Sequence, residues 1–166
     1  KHKIINTDFN QYKYGGINMN SKAEKFIAFL KEQDIKVFEV AELEDEFKTT
    51  VFRSRMEVAG QLLPVVVLLD ESIYPLVRVQ IVDKAVKDKS LERVLAYTNE
   101  LNGKYKIFKY YVTTEGALML DCCLPSNGES FDGELVRVVL DVVLKHLIAE
   151  YPKLMIQVWG DNQGVN

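Results

Sequence analysis

The strongest constraint on the fold is a change of hydrophobic period at Thr49. From there Phe52, Ser54, Met56 and Val58 alternate with Val51, Arg53, Arg55 and Glu57, and a period of two is what a strand with one buried face requires. Gly60 and Gln61 supply a turn, and Leu62 to Leu69 then form a nearly continuous apolar run. With β-branched Val65 to Val67 at its centre, this run reads as a strand covered on both faces. Pro64 cannot donate a ladder bond, which places it near the start of that strand or at a bulge. Asp70 to Pro75 turns the chain, and Val77, Val79 and Ile81 set against Arg78, Gln80 and Asp83 give a further amphipathic strand.

Helical spacing brackets these strands. Ser21 three residues before Glu24 forms a capping box, and Ala23, Phe26, Ile27 and Leu30 follow as an apolar stripe ending near Gln33. Val37 to Val40 reads as a short strand leading into acidic Glu42, Glu44, Asp45 and Glu46. A second helix is expected from Ser90, its N-cap, to Leu101, with Leu91, Val94, Leu95 and Leu101 inward and Asn102-Gly103 as its stop. Tyr105 to Val112 and Ala117 to Leu124 flank Thr113-Thr114-Glu115-Gly116 as an antiparallel hairpin. Ser130 or Asp132 caps a last helix whose Leu135, Val138, Val139, Val142, Val143 and Leu147 recur at three and four; Pro152 breaks or restarts it before an apolar tail of Leu154, Ile156, Val158 and Trp159. The order helix, strands, helix, hairpin, helix is that of an α+β domain with a mainly antiparallel sheet packed by helices. Residues 1–20, with Gly15-Gly16 and no sustained period, read as an N-terminal extension, 21–160 as one domain and 161–166 as a tail.

The 166 residues are 48% hydrophobic and 27% charged, with 21 basic and 24 acidic side chains giving a net charge of -3. That balance argues against a domain built around a phosphate backbone. The two cysteines, Cys122 and Cys123, are adjacent. Neighbouring Cα atoms lie about 3.8 Å apart, below the roughly 4.4–6.8 Å of a disulfide, so none is expected between them. Without a disulfide framework, a signal-peptide apolar region or a membrane-length apolar run, the chain reads as cytoplasmic.

Residues able to do chemistry have plainer explanations. Successive strand residues point to opposite faces, so the Cys122 and Cys123 sulfurs do not converge; Cys122, in phase with Leu118 and Leu120, reads as a small core hydrophobe. His146 stands four residues before Glu150, where an i,i+4 pair can orient an imidazole, and otherwise reads as a helix-surface histidine. The acidic cluster at 42–46 lacks the spacing and glycine of a calcium loop and reads as a solvated loop. The segment Lys104-Tyr105-Lys106-Ile107-Phe108-Lys109-Tyr110-Tyr111 interleaves bases with aromatics, but alternation splits it, with Lys106, Phe108 and Tyr110 on one face and Tyr105, Ile107, Lys109 and Tyr111 on the other. Phosphate-loop and dinucleotide fingerprints are absent, as are metal-ligand spacings, and no catalytic, cofactor or metal residue is assigned.

From the Ser21 helix to about Trp159 the pattern resembles the YbjN family, whose domains look like type III secretion chaperones. Leu101-Asn102-Gly103 leading into Lys104 to Val112, the Glu115-Gly116 turn, Ala117 to Leu124, the apolar helix and Tyr151-Pro152 carry the resemblance. It implies a non-enzymatic interaction module, a protein-binding regulator or chaperone-like adaptor with a protein or peptide partner. The alternatives are a cysteine-dependent enzyme or redox sensor using Cys122 or Cys123, and a sheet that binds single-stranded nucleic acid. The last helix is apolar around more of its circumference than one stripe needs, so Val136, Leu140 and Leu144, together with Trp159, are expected to form a partner or homodimer surface. In the homodimer the resemblance favours, this helix meets its own symmetry mate.

Overall fold

The computed structural model describes residues 19–160. Three helices and six strands follow in the order α1 (Ser21–Glu32), β1 (Glu39–Glu42), β2 (Thr50–Val58), β3 (Gln61–Leu69), β4 (Leu76–Val82), α2 (Asp88–Lys104), β5 (Lys109–Val112), β6 (Leu118–Cys123) and α3 (Gly133–Trp159). The strands form one sheet of order β1-β2-β3-β4-β6-β5, antiparallel at every pairing. This is the α+β architecture with an antiparallel sheet expected from the period switch. Among the described residues no helix is long and apolar enough to cross a membrane.

One face of the sheet carries the core. Phe52, Met56 and Val58 of β2, Val65, Val67 and Leu69 of β3, Val77 and Val79 of β4, Leu118, Leu120 and Cys122 of β6 and Tyr110 of β5 are all buried in a single cluster with Phe26, Val94, Leu101, Val136, Val143 and Leu147 from the helices. The opposite face bears Arg53, Arg55 and Glu57, then Leu62, Pro64, Val66 and Leu68, then Leu76, Arg78 and Gln80, none of them buried. Among the described residues β3 is therefore covered on one face only, not on both as its apolar run suggests. Its outward Val66 lies in register between Arg53 and Arg78, and Leu68 lies opposite Leu76. Long arginine stems and a cross-strand apolar pair let such residues stand on an open face. Pro64 lies just past Val65, where pairing with β4 ends, so its missing N–H interrupts no ladder there.

Local chemistry moves several boundaries. The α1 cap is Asn20 rather than Ser21: its side chain accepts from Ala23 N at 3.0 Å while its amide donates to Lys48 O and Leu69 O, both at 2.9 Å. Asn20, assigned from sequence to an N-terminal extension of residues 1–20, is thus tied into the fold; residues 1–18 of that extension and the tail at 161–166 fall outside the described residues. β1 begins two residues later than expected, because Phe38 turns into the core against Phe26 and Phe52 at centroid distances of 5.7 and 6.3 Å. The β2–β3 turn is Ala59-Gly60, with φ of +50° and +77°, the left-handed pair a two-residue hairpin prefers, and Gln61 already belongs to β3.

The later helices shift similarly. α2 begins at Asp88, and Ser90 sits inside it, its hydroxyl accepting from Lys87 N at 3.2 Å. Leu91 and Leu95, expected inward, are exposed, while Val94, Thr98 and Leu101 face the core. Asn102 does not stop α2; its side chain accepts from Tyr110 N at 2.7 Å and donates to Tyr110 O at 3.1 Å, tying the helix to β5. β5 is only four residues long, so Tyr105 to Phe108 is a connection and not strand. α3 runs unbroken through Pro152, held on either side by fully buried Leu147 and Leu154 despite the lost N–H. Arg93 of α2 donates to Gln157 O at 2.8 Å and Gly160 O at 2.7 Å, satisfying carbonyls at the end of α3.

Two predictions follow from these anchors. Ala59 adopts a left-handed φ at a cost of about 1 kcal/mol, so Ala59→Asn should raise Tm by roughly 2–4 °C in a chain of this size. An unchanged or lower Tm would show that the turn is not strained. Asn20→Ala removes a cap and orphans two carbonyls, a loss on the order of 3 kcal/mol, read as a lower urea midpoint at unchanged m-value.

Candidate functional site

Gly133, the first residue of α3, sits so close to α1 that an added Cβ would stand 2.7 Å from Phe29 Cγ. Away from this contact the two helices form the walls of an apolar groove of about 680 Å³, floored by β2 and Val65. Phe26, Phe29, Leu30, Ile35 and Phe38 line one wall; Leu140, Leu144 and Ile148, spaced by four on α3, line the other. Arg137 and Asp141 supply its polar rim, and Arg55 and Glu57, whose side chains lie on the other face of the sheet, border it along β2. The first wall is stiff, because Phe26 meets Phe38, Phe52 and Phe131 edge-on at 5.7, 4.9 and 6.3 Å. On the rim Arg137 bonds Glu134 and, at 2.9 Å, Asp141, which raises the guanidinium pKa. Arg55 and Glu57 are exposed. Apolar walls, a polar rim and a floor of strand make a concave, largely apolar site, and its lining holds neither cysteine nor histidine.

The helix phase decides which expected surface residues reach this groove. Leu140 and Leu144 are half-buried and share it. Val136, expected outside the most buried line, is only 1% exposed and belongs to the core, whereas Leu135, Val138 and Val142, expected inward, are exposed. The 27-residue α3 is apolar on so many sides that spacing alone admits either phase. Trp159 is 64% exposed and lies elsewhere, beside Leu62, Pro64, Tyr151 and Met155 at a second, shallower hollow. The structure thus brings Leu140 and Leu144 together but not Val136 or Trp159. The α1 wall was not anticipated; the aromatic repeat of Phe26 and Phe29 with Phe38 was its available signal.

The other residues with chemical potential lie apart from the groove. Cys122 is 1% exposed and burial pushes its thiol up to about 11; Cys123 is exposed, and its pKa is also raised, chiefly by desolvation. Neither has the lowered pKa that a nucleophilic thiolate needs. His146 is not a plain surface residue. Its ring packs on Tyr105 at 4.5 Å and Phe108 at 4.3 Å, and Nε2 meets Tyr110 Oη at 2.6 Å. The His146–Glu150 pair that the i,i+4 spacing permits does not form as a hydrogen bond; Glu150, 4% exposed, instead accepts from Tyr97 Oη at 2.6 Å and from Lys153 Nζ at 3.0 Å. Burial opposes the Glu150 charge, but those hydrogen bonds and the Lys153 ammonium hold its pKa below the usual value. Desolvation raises the Tyr97 and Tyr110 pKa values.

This cluster also settles where the aromatic and basic side chains of 104–111 go. Tyr105, Phe108 and Tyr110 gather around His146, leaving Lys109 and Tyr111 on the outward face, with Lys109 Nζ 5.4 Å from the Tyr111 ring. The expected faces are therefore regrouped, and these rings do not form an outward stacking platform. Beside them Arg78 donates twice to Asp121 at 2.8 Å. Among the described residues no group of three or more His, Cys, Asp or Glu side chains could hold a metal ion.

His146 gives a pH prediction. Burial lowers its pKa from 6.5, partly offset by the charge of Glu150 and assisted by Lys104 and Lys153. The unfolded chain therefore binds this proton more readily than the folded one, and stability present above the unfolded value is lost as pH falls below it. Tm should drop between about pH 7 and pH 5, above the range in which Glu150 titrates. His146→Gln should flatten the drop, and an equal drop in the variant would remove His146 as its cause. Comparison of the chain with family models, curated proteins and solved structures returns no match.

Proposed function

We propose that this chain is a non-catalytic protein-binding module, a regulator or chaperone-like adaptor of the cytoplasm, which takes an apolar segment of a partner protein into the groove between α1 and α3. The observation that carries this reading is the groove itself: about 680 Å³ of largely apolar space, open at a rim of both charge signs. Apolar surface left uncovered in a folded domain marks an interaction site more often than not. The fitted occupant is a short segment presenting apolar side chains to Leu140, Leu144 and Met56, with flanking polar groups for Arg137 and Asp141. The resemblance to the YbjN family and its chaperone-like domains supports the same reading. A cysteine-centred reading has less support, because both thiol pKa values are raised.

Peptides selected from a random display library against the folded protein should carry clustered apolar residues. Their affinity should fall at least roughly tenfold for Leu140→Glu and for Leu144→Glu, measured by fluorescence anisotropy on variants whose circular dichroism is unchanged. Selected peptides that bind both variants as tightly as the wild type would refute the groove as the binding site.

A further inference from the structure

β1 covers only part of its neighbour. Its register on β2 ends at Glu39 opposite Arg53, so among the described residues Ser54 to Val58 form the edge of the sheet on that side. The backbone parity of this edge is fixed at its other end, where Thr49 O accepts from Leu43 N at 2.8 Å, so odd-numbered residues of β2 turn their N–H and C=O toward the β1 side. Beyond Arg53 those residues are Arg55 and Glu57. Native edges are commonly blunted by Pro, by charged side chains and above all Lys, or by a bulge; the two charges on this edge, Arg55 and Glu57, are of opposite sign and so can pair with those of a second copy. The stretch Ser54-Arg55-Met56-Glu57-Val58 contains neither Pro nor Lys, and its pairing with β3 is regular.

We propose that a second copy of this chain docks here, its β2 running antiparallel to the first across a two-fold axis at Met56. In this register Arg55 of each copy faces Glu57 of the other, and Met56 faces Met56. Both charged pairs fall at positions whose backbone groups point into the new ladder, so each is a hydrogen-bonded pair with unlike charges on the outward face. Sliding the axis one residue either way sets Arg55 against Arg55 or Glu57 against Glu57, so the charge pattern selects one register. Among the described residues neither side chain has an ion-pair partner within its own chain. The contact is isologous and makes a continuous twelve-stranded sheet from two six-stranded ones. This moves the dimer contact from the α3 surface expected from sequence to the β2 edge, and it does not depend on the groove's accepting a partner segment.

Sedimentation velocity over a concentration series tests it with charge reversals at exposed positions. The wild type should dimerise, Arg55→Glu and Glu57→Arg should each raise the dimer dissociation constant at least roughly tenfold, and the double exchange Arg55→Glu with Glu57→Arg should restore the wild-type value. A monomeric wild type overturns the proposal, as does a dimer indifferent to the single reversals or not restored by the exchange. The readout is self-association alone, so either outcome leaves the peptide-binding test of the groove to be judged separately.

Discussion

The contact of Phe26 with Phe52, ring centroids 4.9 Å apart, is where helix and sheet layers are joined, and the rest of the architecture depends on it. Both rings are fully buried. A sheet with its apolar side chains on one face buries them only if every helix docks on that face. Phe26 supplies the first such contact, and Phe38 and Phe131 extend it to the strand connection and to the start of α3. The Asn20 side chain then fixes the angle of α1 by bonding the helix start to the carbonyls of Lys48 and Leu69, at one end of β2 and β3. Removing an aromatic ring from such a centre typically costs about 3–5 kcal/mol, a large share of a domain's net stability.

Phe38 links this core to the candidate site. Continuing β1 backward along β2 would have closed the sheet edge and put residue 38 in the ladder. Phe38 instead turns inward to reach Phe26 and Phe52, and the chain from Ile35 to Phe38 lines the groove wall rather than pairing with Arg55 and Glu57. One aromatic anchor thus accounts for both the short β1 and the open space over the second half of β2. The groove and the free edge are two consequences of the same packing choice.

Much of the fold was legible in the sequence because its signals were local. The alternation at 50–58, the breaks at Asp70 to Pro75 and the Gly116 turn, with φ of +84°, each specify one element without reference to distant residues. What the sequence obscured depended on distant partners. Leu62 to Leu69 looks doubly buried because the apolar run cannot reveal that arginines on β2 and β4 flank its outward side. α3 admits two phases because Val136, Val138 and Leu140 are equally apolar; the choice is made by Gly133 against Phe29 and by the sheet beneath. Leu140 and Leu144 could be marked as surplus to one stripe, but their cavity is completed by α1 and β2, which no helical spacing encodes. His146 showed its neighbour in sequence, Glu150, while its actual contacts come from the connection after α2 and from β5.

The two halves of α3 have different duties, and this bears on how rigid the groove is. Along one line Val136, Val139, Val143, Leu147, Leu154 and Val158 are buried, so rotation about the helix axis would expose core. At the far end Arg93 holds the last carbonyls, while Glu150 is held by Tyr97 and His146 by Tyr110, polar contacts that permit little change of angle. At the near end the Gly133–Phe29 approach leaves no room for α1 and α3 to close further. The Leu140–Leu144–Ile148 wall is therefore carried by a helix fixed in rotation, tilt and separation. A groove held open this way would spend no binding free energy on forming itself, so under the proposed reading the ordering cost would fall mainly on the segment that entered it.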